Sequence, residues 1–584
     1  MSGMHKLIKN RTDILAMALL GFMAIFVIRL FWLQVINYGE YVSIAKQSQQ
    51  RSFVLSANRG EIYMMDQNSP VPVVLNQSVF TVIADPEIVQ EEDIDDIVKA
   101  LQDEAGGEIV GDIRTKLNKE KSQYEVLARN ISRTQAEKLK KHDFSGVGFR
   151  QGTIRNYPEG SLGAQVLGFV NTENKGQYGV EQQLNERLSG RDGLLQSVTD
   201  VKDVPLNVGK DNVRIEPKSG DNIALTIDRN IQSYAEEALR RGIEAAGATE
   251  GSVLIMNPNN GQVLADVNYP TYSPAEYYQA KDAAVFVDHT TMTPFEPASI
   301  IKSFTISTAL NEGAITPQSS YVNTDCLRVA DRTMCNALRG LGGPIDVQGV
   351  LTNSLNVGTI TFARRLGDGG SINRQARDTI YDYFHNKFGF GEKTGIEVAE
   401  NKGIIYSPDS PEGNEVQYSA MTYGQSMNLT MIQVATAFCS VVNGGNYYRP
   451  TMVAGTVQSD GRVKIEQNKS ERRTISEATS AQMRELLAGA RGSTWLGAGD
   501  RAGFVVGGKT GTAETISSSG EYTAKETVAT YIGFGGTDMP EYVIMVRVAA
   551  PGKGLNLEGG KHAGPIFSDI SNWMIDFMKL APKG

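Results

Sequence analysis

An apolar run near the N-terminus is the feature that most limits how this chain can fold. Residues 14–36 are almost wholly apolar. As a helix rising about 1.5 Å per residue, they would span roughly 35 Å, enough for a hydrocarbon core of about 30 Å. Lys6, Lys9 and Arg11 precede the run, which predicts a cytoplasmic N-terminus. The run is too long for a cleaved signal peptide, and no small-residue cleavage site follows it.

We therefore predict a cytoplasmic tail at residues 1–13, a single-pass anchor at 14–36 and the bulk of the chain outside the cytoplasm. Arg29 interrupts the apolar run, and a charge at the centre of a membrane helix costs about 2.5–3.5 kcal/mol. We expect Arg29 to snorkel to an interface, and pairing with a partner helix is the alternative.

Composition describes an ordinary globular protein of 584 residues, long enough for two or three domains. A net charge of −9 with no basic stripe argues against nucleic-acid binding. Cys326 and Cys335 bracket a short polar loop and can pair, whereas Cys439 lies in an apolar helical run and is predicted to be core. The cysteines and histidines lack metal-ligand spacing, so no metal and no cofactor is expected.

Three short motifs carry chemistry in a fixed order: Ser299-Ile-Ile-Lys302, Ser354-Leu-Asn356 and Lys509-Thr-Gly-Thr512. Each pattern alone is too common to be informative, because the chain holds other matches to all three. The competing matches begin at Ser43, Ser371, Ser426 and Lys393. Local context must therefore decide between them.

Context favours the first set. Ser299 follows a Pro-Ala step and opens an apolar helical run over 300–310, where a spacing of three puts Lys302 on the same face. Lys509 ends an apolar, Gly-rich run, and a second strand is predicted at 528–534. By contrast, Ser43 lies in a polar, Gln-rich stretch and Lys393 in a Gly-punctuated loop.

Residues 221–584 are predicted to form an α/β (α+β) domain with an antiparallel sheet and flanking helices. The pattern indicates strands at both ends of this region and helices between them. The predicted strands are 223–227, 252–256, 262–267, 528–534 and 542–549, and the predicted helices are 228–246, 300–310, 432–442 and 565–578. Residues 37–220 mix short strand-like runs with a polar helical stretch near 86–106.

With these motifs in order, the chain resembles the class B penicillin-binding proteins, the monofunctional D,D-transpeptidases of peptidoglycan synthesis. The resemblance runs nearly end to end. Its N-terminal part rests on Asn58-Arg-Gly-Glu-Ile-Tyr63, Arg155-Asn-Tyr-Pro-Glu-Gly160, Val166-Leu-Gly-Phe169 and Gly176-Gln-Tyr-Gly-Val-Glu181. Gly424-Gln425, Thr430 and Gln433 resemble the helix start behind the active site. The resemblance implies a non-catalytic pedestal domain at 37–220 and a transpeptidase domain at 221–584.

The resemblance also implies roles for the motif residues. Ser299 would be the nucleophile on a D-Ala-D-Ala stem peptide, Lys302 its base and Ser354 a proton relay, although a helix N-cap is the plain alternative for Ser354. The backbone N–H groups of Ser299 and Thr512 would form the oxyanion hole. The expected catalytic residues are Ser299, Lys302, Ser354 and Lys509, and the expected substrate-binding residues are Asn356, Thr510, Gly511 and Thr512.

Asn356 would bind the substrate's amide or orient Lys302. Within the family, Phe295-Glu-Pro before the nucleophile looks closer to the septal, cell-division members than to the elongation members. The chain departs from the usual pattern at Ala298, where Gly is usual, at Asp288-His-Thr, and at Leu355 in the middle motif.

The implied partners are peptidoglycan stem peptides, a SEDS-family glycosyltransferase with other division or elongation proteins, and β-lactams as inhibitors. Arg29 and the pedestal are the expected contacts for the glycosyltransferase. The implied location is the bacterial cytoplasmic membrane, with the catalytic domain on the outer side.

Two other readings use the same fold. A serine β-lactamase adds a glutamate that activates the deacylating water, and Glu397 to Asn401 reads Glu-x-x-x-Asn, the spacing of the class A enzymes. The anchor and the long pedestal argue against that reading. A non-catalytic or β-lactam-sensing protein is the second alternative. The intact motif set argues against a non-catalytic scaffold, and the short predicted cytoplasmic tail at 1–13 leaves little room for the signalling module of a sensor.

Overall fold

The computed structural model describes residues 11–41, 50–198, 213–516 and 522–582. Lys6, Lys9 and Ser43 lie outside the described residues. The chain forms two compact units: residues 1–58 with 189–220, and residues 59–188 with 221–584. The domain boundaries placed at 37 and 220 from the sequence stay predictions.

The first unit contains the apolar helix and a small sheet. The helix runs over Arg11–Phe31 and continues as a π-helical turn over Trp32–Ile36. It is exposed along its length and is long and apolar enough to cross a membrane, as predicted. The sheet is antiparallel. Its central strand is Gly193–Val198, which pairs with Gln50–Leu55 on one side and with Val213–Ile215 on the other.

The second unit is built around a five-stranded sheet in which every neighbouring pair is antiparallel, as predicted. Its strands, in spatial order, are Val263–Tyr269, Glu250–Met256, Pro540–Ala549, Tyr522–Gly536 and Val505–Ile516. The last of these, which we call the active-site strand, forms one edge of the sheet. The edge position leaves one side of its backbone open.

Side chains alternate along each strand, so apolar residues point to both faces of this sheet, and helices pack on each face. Val253 and Ile255 pack with the helices Arg229–Ala246 and Gly564–Phe577. Leu254 and Met256 face a larger core that contains Phe304 and Phe438. The helices on that side are Lys302–Asn311, Val347–Thr352, Asn356–Arg364, Arg374–Tyr381 (extended by Asp382–Lys387), Glu415–Met421, Met431–Val442 and Glu477–Gly492.

The predicted helix at 228–246 begins as the sequence indicates, because the Asp228 side chain accepts hydrogen bonds from Asn230 N–H and Ile231 N–H. Thr430 likewise caps the helix Met431–Val442 by accepting from Gln433 N–H. The run predicted as one helix from residue 300 is a 3-10 turn, Ala298–Ile301, followed directly by Lys302–Asn311.

A second, eight-stranded sheet also lies in this unit. Its spatial order is Val463–Ile465, Val453–Val457, Ile223–Asp228, Ile62–Asp66, Ser69–Ala84, Glu125–Ile131 and Glu108–Ile109, with Val147–Asn156 pairing with Ser69–Ala84. Ile223–Asp228 pairs in parallel with Ile62–Asp66 and antiparallel with Val453–Val457. The sheet therefore joins the segment 59–188 to the segment 221–584 by main-chain hydrogen bonds.

The remaining elements are short. Three helices pack on the Ser69–Ala84 part of the second sheet: Ile94–Glu104, Ile113–Leu117 and Arg133–Lys140. Other short helical segments are Glu91–Asp93, Ala164–Leu167, Gly179–Gln183, Asn185–Ser189, Pro274–Gln279, Ala283–Phe286, His289–Met292, Gly497–Gly499 and Gly559–Ala563. Two-stranded pairs form between Phe169–Val170 and Gly176–Gln177, Ser320–Val322 and Pro344–Asp346, Cys326–Val329 and Arg332–Cys335, and Asn446–Tyr448 and Ser470–Arg473.

Candidate active site

Ser299 lies in a tight turn at the start of a buried helix. The turn Ala298–Ile301 runs directly into Lys302–Asn311, and Lys302 Nζ lies 2.9 Å from Ser299 Oγ. Ala298 has a φ of 54°, in the left-handed region. Its N–H donates to the Gly424 carbonyl at 3.0 Å, and a Cβ on Gly424 would lie 2.0 Å from the Ala298 carbonyl oxygen. Gly424 is therefore required for the backbone to reach the turn.

Lys302 is fully buried, and its amine lies between two serines. Besides Ser299 Oγ, its Nζ contacts the Ser354 carbonyl at 2.6 Å and Ser354 Oγ at 3.1 Å. Burial, followed by the nearby charge of Lys509, holds the pKa of Lys302 well below its usual value. A lowered pKa favours the neutral form of the amine, and a neutral amine can take the proton of a serine hydroxyl.

Ser354 presents both of its oxygens to this amine from a left-handed backbone. Its φ is 53°, a conformation that non-glycine residues seldom adopt. The helix that follows begins at Asn356, with Leu355 at the N-cap position and no side-chain cap. The alternative in which Ser354 serves as a helix N-cap is therefore wrong.

Asn356 is held by a disulfide-bonded hairpin. Cys326 and Cys335 are bonded, and the strands Cys326–Val329 and Arg332–Cys335 pair between them; we call residues 326–335 the disulfide hairpin. The Asn356 amide N–H donates to the Cys335 carbonyl at 3.0 Å, and it does not donate to Lys302 in the described structure. Asn336, which the sequence did not single out, is buried and accepts from Val357 N–H at 2.9 Å.

Lys509 is buried in the active-site strand, where it pairs with Ile532 of the predicted neighbouring strand. Burial lowers its pKa to about 7. Its Nζ donates to Thr510 Oγ1 and to the Thr510 carbonyl, both at 3.2 Å. The charge of Lys509 also acts on Lys302, which brings the first and third motifs together at one site.

Gly511 lets the active-site strand pass close to the turn Ala298–Ile301. A Cβ at this position would lie 2.3 Å from Thr530 Oγ1 and 3.0 Å from the Pro297 carbonyl oxygen. Any side chain at 511 would therefore push the strand away from the turn that carries Ser299. The next residue, Thr512, is exposed, and its Oγ1 accepts from Gly559 N–H at 3.1 Å.

The competing motifs have structural roles. Thr394 N–H and Gly395 N–H donate to the Glu400 carboxylate, so the second Lys-Thr-Gly folds a loop. Asn373, in one of the competing Ser-x-Asn matches, caps the helix Arg374–Tyr381. Glu397 accepts hydrogen bonds from Thr451 Oγ1 and Met452 N–H, which occupies both carboxylate oxygens. Glu397 therefore has a structural partner, contrary to the β-lactamase reading of that stretch.

The motifs of the N-terminal region also converge. Glu181 is fully buried and accepts from Arg59 Nε at 2.7 Å and from Arg155 Nε at 2.9 Å. Arg59 Nη1 donates to Asn185 at 2.9 Å, and Arg155 Nη2 donates to the Gly60 carbonyl at 2.7 Å. Three segments far apart in sequence thus share one buried ion-pair network, which we call the Glu181 network.

Comparison with known families gives two matches. A family model described as the penicillin binding protein transpeptidase domain matches residues 251–572. A second, described as the penicillin-binding protein dimerisation domain, matches residues 54–225.

Individual proteins are similar over nearly the whole chain. Stage V sporulation protein D of Bacillus subtilis is 30% identical over 98% of this chain and 87% of its own length. Peptidoglycan D,D-transpeptidase FtsI of Escherichia coli is 26% identical over 95% of this chain and 89% of its own. Among solved structures, penicillin binding protein 2X from Streptococcus thermophilus has a TM-score of 0.73 at 21% identity, with 91% of this chain and 80% of that chain covered.

Proposed function

The chain belongs to the penicillin-binding protein transpeptidase family, and we propose that it is a peptidoglycan D,D-transpeptidase that acts through Ser299. The observation that carries the assignment of the nucleophile is the 2.9 Å contact between Ser299 Oγ and the buried amine of Lys302. A serine hydroxyl is a weak nucleophile without a base, and a neutral lysine amine supplies one.

In the first half-reaction, Ser299 Oγ attacks the carbonyl of the D-Ala-D-Ala bond, and its proton passes to Lys302. Backbone N–H groups of Ser299 and Thr512 would stabilise the resulting oxyanion, a contribution that is worth about 10²–10³ in rate per donor. The C–N bond then breaks. The departing D-Ala amine takes a proton through Ser354, whose Oγ lies 3.1 Å from Lys302 Nζ.

In the second half-reaction, the amine of another stem peptide attacks the Ser299 ester. Lys302 and Ser354 remove one proton from this amine, Ser299 Oγ leaves as the hydroxyl, and a cross-link forms. Lys509, Thr510 and Thr512 would hold the terminal carboxylate of the donor peptide, with Gly511 allowing the peptide backbone to lie along the strand edge. Asn356 would present its side-chain oxygen to the substrate amide, since its N–H is engaged by Cys335.

A direct test is intact-protein mass spectrometry of residues 37–584 incubated with benzylpenicillin. We expect one penicilloyl adduct on the wild type and none on Ser299→Ala. Ser303→Ala is a matched control, because Ser303 is a buried serine in the next turn whose hydroxyl has no hydrogen bond within the described structure. Penicillin consumed without an adduct would instead indicate a β-lactamase, and an adduct that persists on Ser299→Ala would overturn the assignment of the nucleophile.

The apolar helix serves as a membrane anchor, and we propose that its N-terminus is cytoplasmic and that the catalytic unit lies outside. Arg29 lies in the last turn of the helix Arg11–Phe31, 4.6 Å above the Trp32 ring, which supports snorkelling toward an interface. Labelling of a cysteine introduced before residue 11 by a membrane-impermeant thiol reagent tests the orientation. Only permeabilised cells should react.

We further propose a septal role with a SEDS-family glycosyltransferase as partner; the sequence Phe295-Glu-Pro before Ser299 supports the septal role. Arg29 and the pedestal would carry the contact. A fluorescent fusion should concentrate at the division site, and sidewall fluorescence instead would favour elongation. If replacing Arg29 and neighbouring helix residues leaves co-purification of the glycosyltransferase unchanged, this contact is wrong.

A further inference from the structure

A short loop after the last strand contacts the exposed threonine of the active-site strand. This segment, residues 556–560, is defined here as the glycine loop. Gly559 N–H donates to Thr512 Oγ1 at 3.1 Å, although the two residues are far apart in the chain. No motif marks this loop, because an unpatterned Glu-Gly-Gly carries no signal by itself.

The contact with Gly559 determines which hydrogen bond the Thr512 hydroxyl can still donate. A hydroxyl has a single proton to donate, besides accepting hydrogen bonds through its lone pairs. Thr512 Oγ1 accepts from Gly559, and Thr510 Oγ1 accepts from Lys509 Nζ at 3.2 Å. With these acceptor positions engaged, each hydroxyl has its own proton left for a third group. Thr510 and Thr512 lie two residues apart on one strand, so their side chains share a face. Two O–H donors on one face fit a carboxylate, which only accepts hydrogen bonds.

Glycine is the residue that fits at this point of the loop. A Cβ on Gly559 would lie 2.3 Å from the Gly511 carbonyl oxygen and 2.5 Å from the Thr530 carbonyl oxygen. The loop therefore lies directly against the backbone of the strand pair, and a side chain would lift its N–H away from Thr512.

A second hydrogen bond holds the glycine loop in place at Leu557. Thr527 is buried, and its Oγ1 donates to the Leu557 carbonyl at 2.7 Å, two residues before Gly559. Gly560, in contrast, has room for a methyl group, since the nearest atom to its Cβ position is Thr510 Cγ2 at 3.8 Å.

We propose that Gly559 is a positioning residue that orients the Thr512 hydroxyl and so helps select a carboxylate at the end of the substrate. The inference rests on the proposed function, in which Thr512 binds that carboxylate. Gly559 acts through its backbone N–H and through the close approach that only glycine permits.

The test compares two acylating ligands, benzylpenicillin and its methyl ester, which differ in the carboxylate. The ratio of their second-order acylation rates on the wild type measures carboxylate selectivity. Thr512→Val should lower this ratio about tenfold, the loss of one hydrogen bond to a charged group, and Thr512→Ser should restore it.

Gly559→Ala should lower the ratio as Thr512→Val does. Since Gly559→Ala can also disturb folding, Thr527→Val is the second variant: it keeps the side-chain shape and removes the tie to Leu557, and it should lower the ratio severalfold. Gly560→Ala should leave the ratio unchanged. Thr527→Val added to Thr512→Val should have no further effect on the ratio.

If Gly559→Ala and Thr527→Val slow acylation by both ligands equally, the ratio is unchanged and the loop is merely structural, which would overturn the inference. Unchanged rates for both ligands would overturn it as well. The outcome is separable from that of the proposed function. If benzylpenicillin forms no Ser299 adduct on the wild type, the proposed function fails and the inference falls with it. If the adduct forms and only the ratio fails to respond, the function stands and the role of Gly559 does not.

Discussion

At the scale of single residues, the site depends on two buried lysines with different tasks. In the proposed mechanism, Lys302 must be neutral to accept the Ser299 proton, and Lys509 must be charged to attract a carboxylate. Burial lowers the pKa of both, to about 7 for Lys509 and well below the usual value for Lys302. The charge of Lys509 lowers the pKa of Lys302 further.

These shifts predict a bell-shaped dependence of the acylation rate on pH. The rate should rise as Lys302 loses its proton and fall above pH about 7 as Lys509 does, with both limbs belonging to the coupled pair. Stopped-flow acylation by a chromogenic cephalosporin gives the profile. In Lys509→Arg the guanidinium stays charged, so the falling limb should disappear. An unchanged falling limb in that variant would remove Lys509 from the assignment.

The same shifts affect stability. Each lysine has a lower pKa in the folded than in the unfolded chain, so between those two values the unfolded state binds more protons. The contribution of Lys302 and Lys509 to the free energy of unfolding should therefore increase as pH rises from their folded pKa toward the usual lysine value of 10.5.

Ala298 offers a second residue-scale prediction. Its φ of 54° costs an alanine about 1 kcal/mol relative to glycine. We expect Ala298→Gly to raise the thermal unfolding midpoint by roughly 2 °C. Ala481→Gly, in the interior of the helix Glu477–Gly492, should lower it because glycine is a poor helix former. A lower midpoint for Ala298→Gly, measured by differential scanning calorimetry, would contradict the strain argument.

At the scale of elements, the disulfide hairpin connects the Cys326–Cys335 bond to Asn356 of the second motif. The Cys335 carbonyl anchors Asn356, and the adjoining Asn336 caps Val357. Removing a disulfide typically costs about 2–4 kcal/mol. We expect Cys326→Ser with Cys335→Ser to slow acylation severalfold and to lower the unfolding midpoint, because the anchor of Asn356 loosens.

Reduction provides the matched control for that prediction. Dithiothreitol should slow acylation of the wild type to the rate of the double variant and should leave the double variant unaffected. If the reduced wild type reacts at its original rate, the hairpin does not position Asn356.

The elements also show what could be predicted from sequence. The strand at 252–256, the capped helix after Asp228 and the apolar helix at 432–442 carry strong local patterns, and the structure has them. The local patterns around the two Lys-Thr-Gly matches also correspond to the structure, since Lys509 lies within a strand and Lys393 in a loop. The roles expected for the other motif residues came from the family resemblance and not from local patterns.

The parts that escaped prediction are contacts between irregular segments. Asn336 and Gly559 act on motif residues through the ends of loops, where no periodicity marks them. The direction of the Asn356 amide was equally hidden, because a rotamer depends on the neighbours that tertiary packing supplies. Such contacts form only when the whole chain is folded.

At the scale of the whole molecule, the Glu181 network ties the N-terminal segment together. One buried carboxylate faces the guanidinium groups of Arg59 and Arg155. Breaking a buried ion pair by removing one partner costs about 3–5 kcal/mol, since the remaining charge is left uncompensated. Glu181→Gln should therefore lower the unfolding midpoint strongly, whereas Glu186→Gln, at an exposed position nearby, should have little effect. Equal midpoints for the two variants, measured by calorimetry, would mean that the network contributes little.

The eight-stranded sheet has a practical consequence for anyone who wishes to produce the catalytic part alone. The strand Ile223–Asp228 is buried on both faces, and one of its two neighbours is Ile62–Asp66. A fragment that starts at residue 221 would lack that neighbour and would expose an apolar strand with unpaired N–H and C=O groups, the arrangement that recruits other chains into aggregates. Fragments that retain residues 59–188 should be soluble and monodisperse, and shorter ones should precipitate.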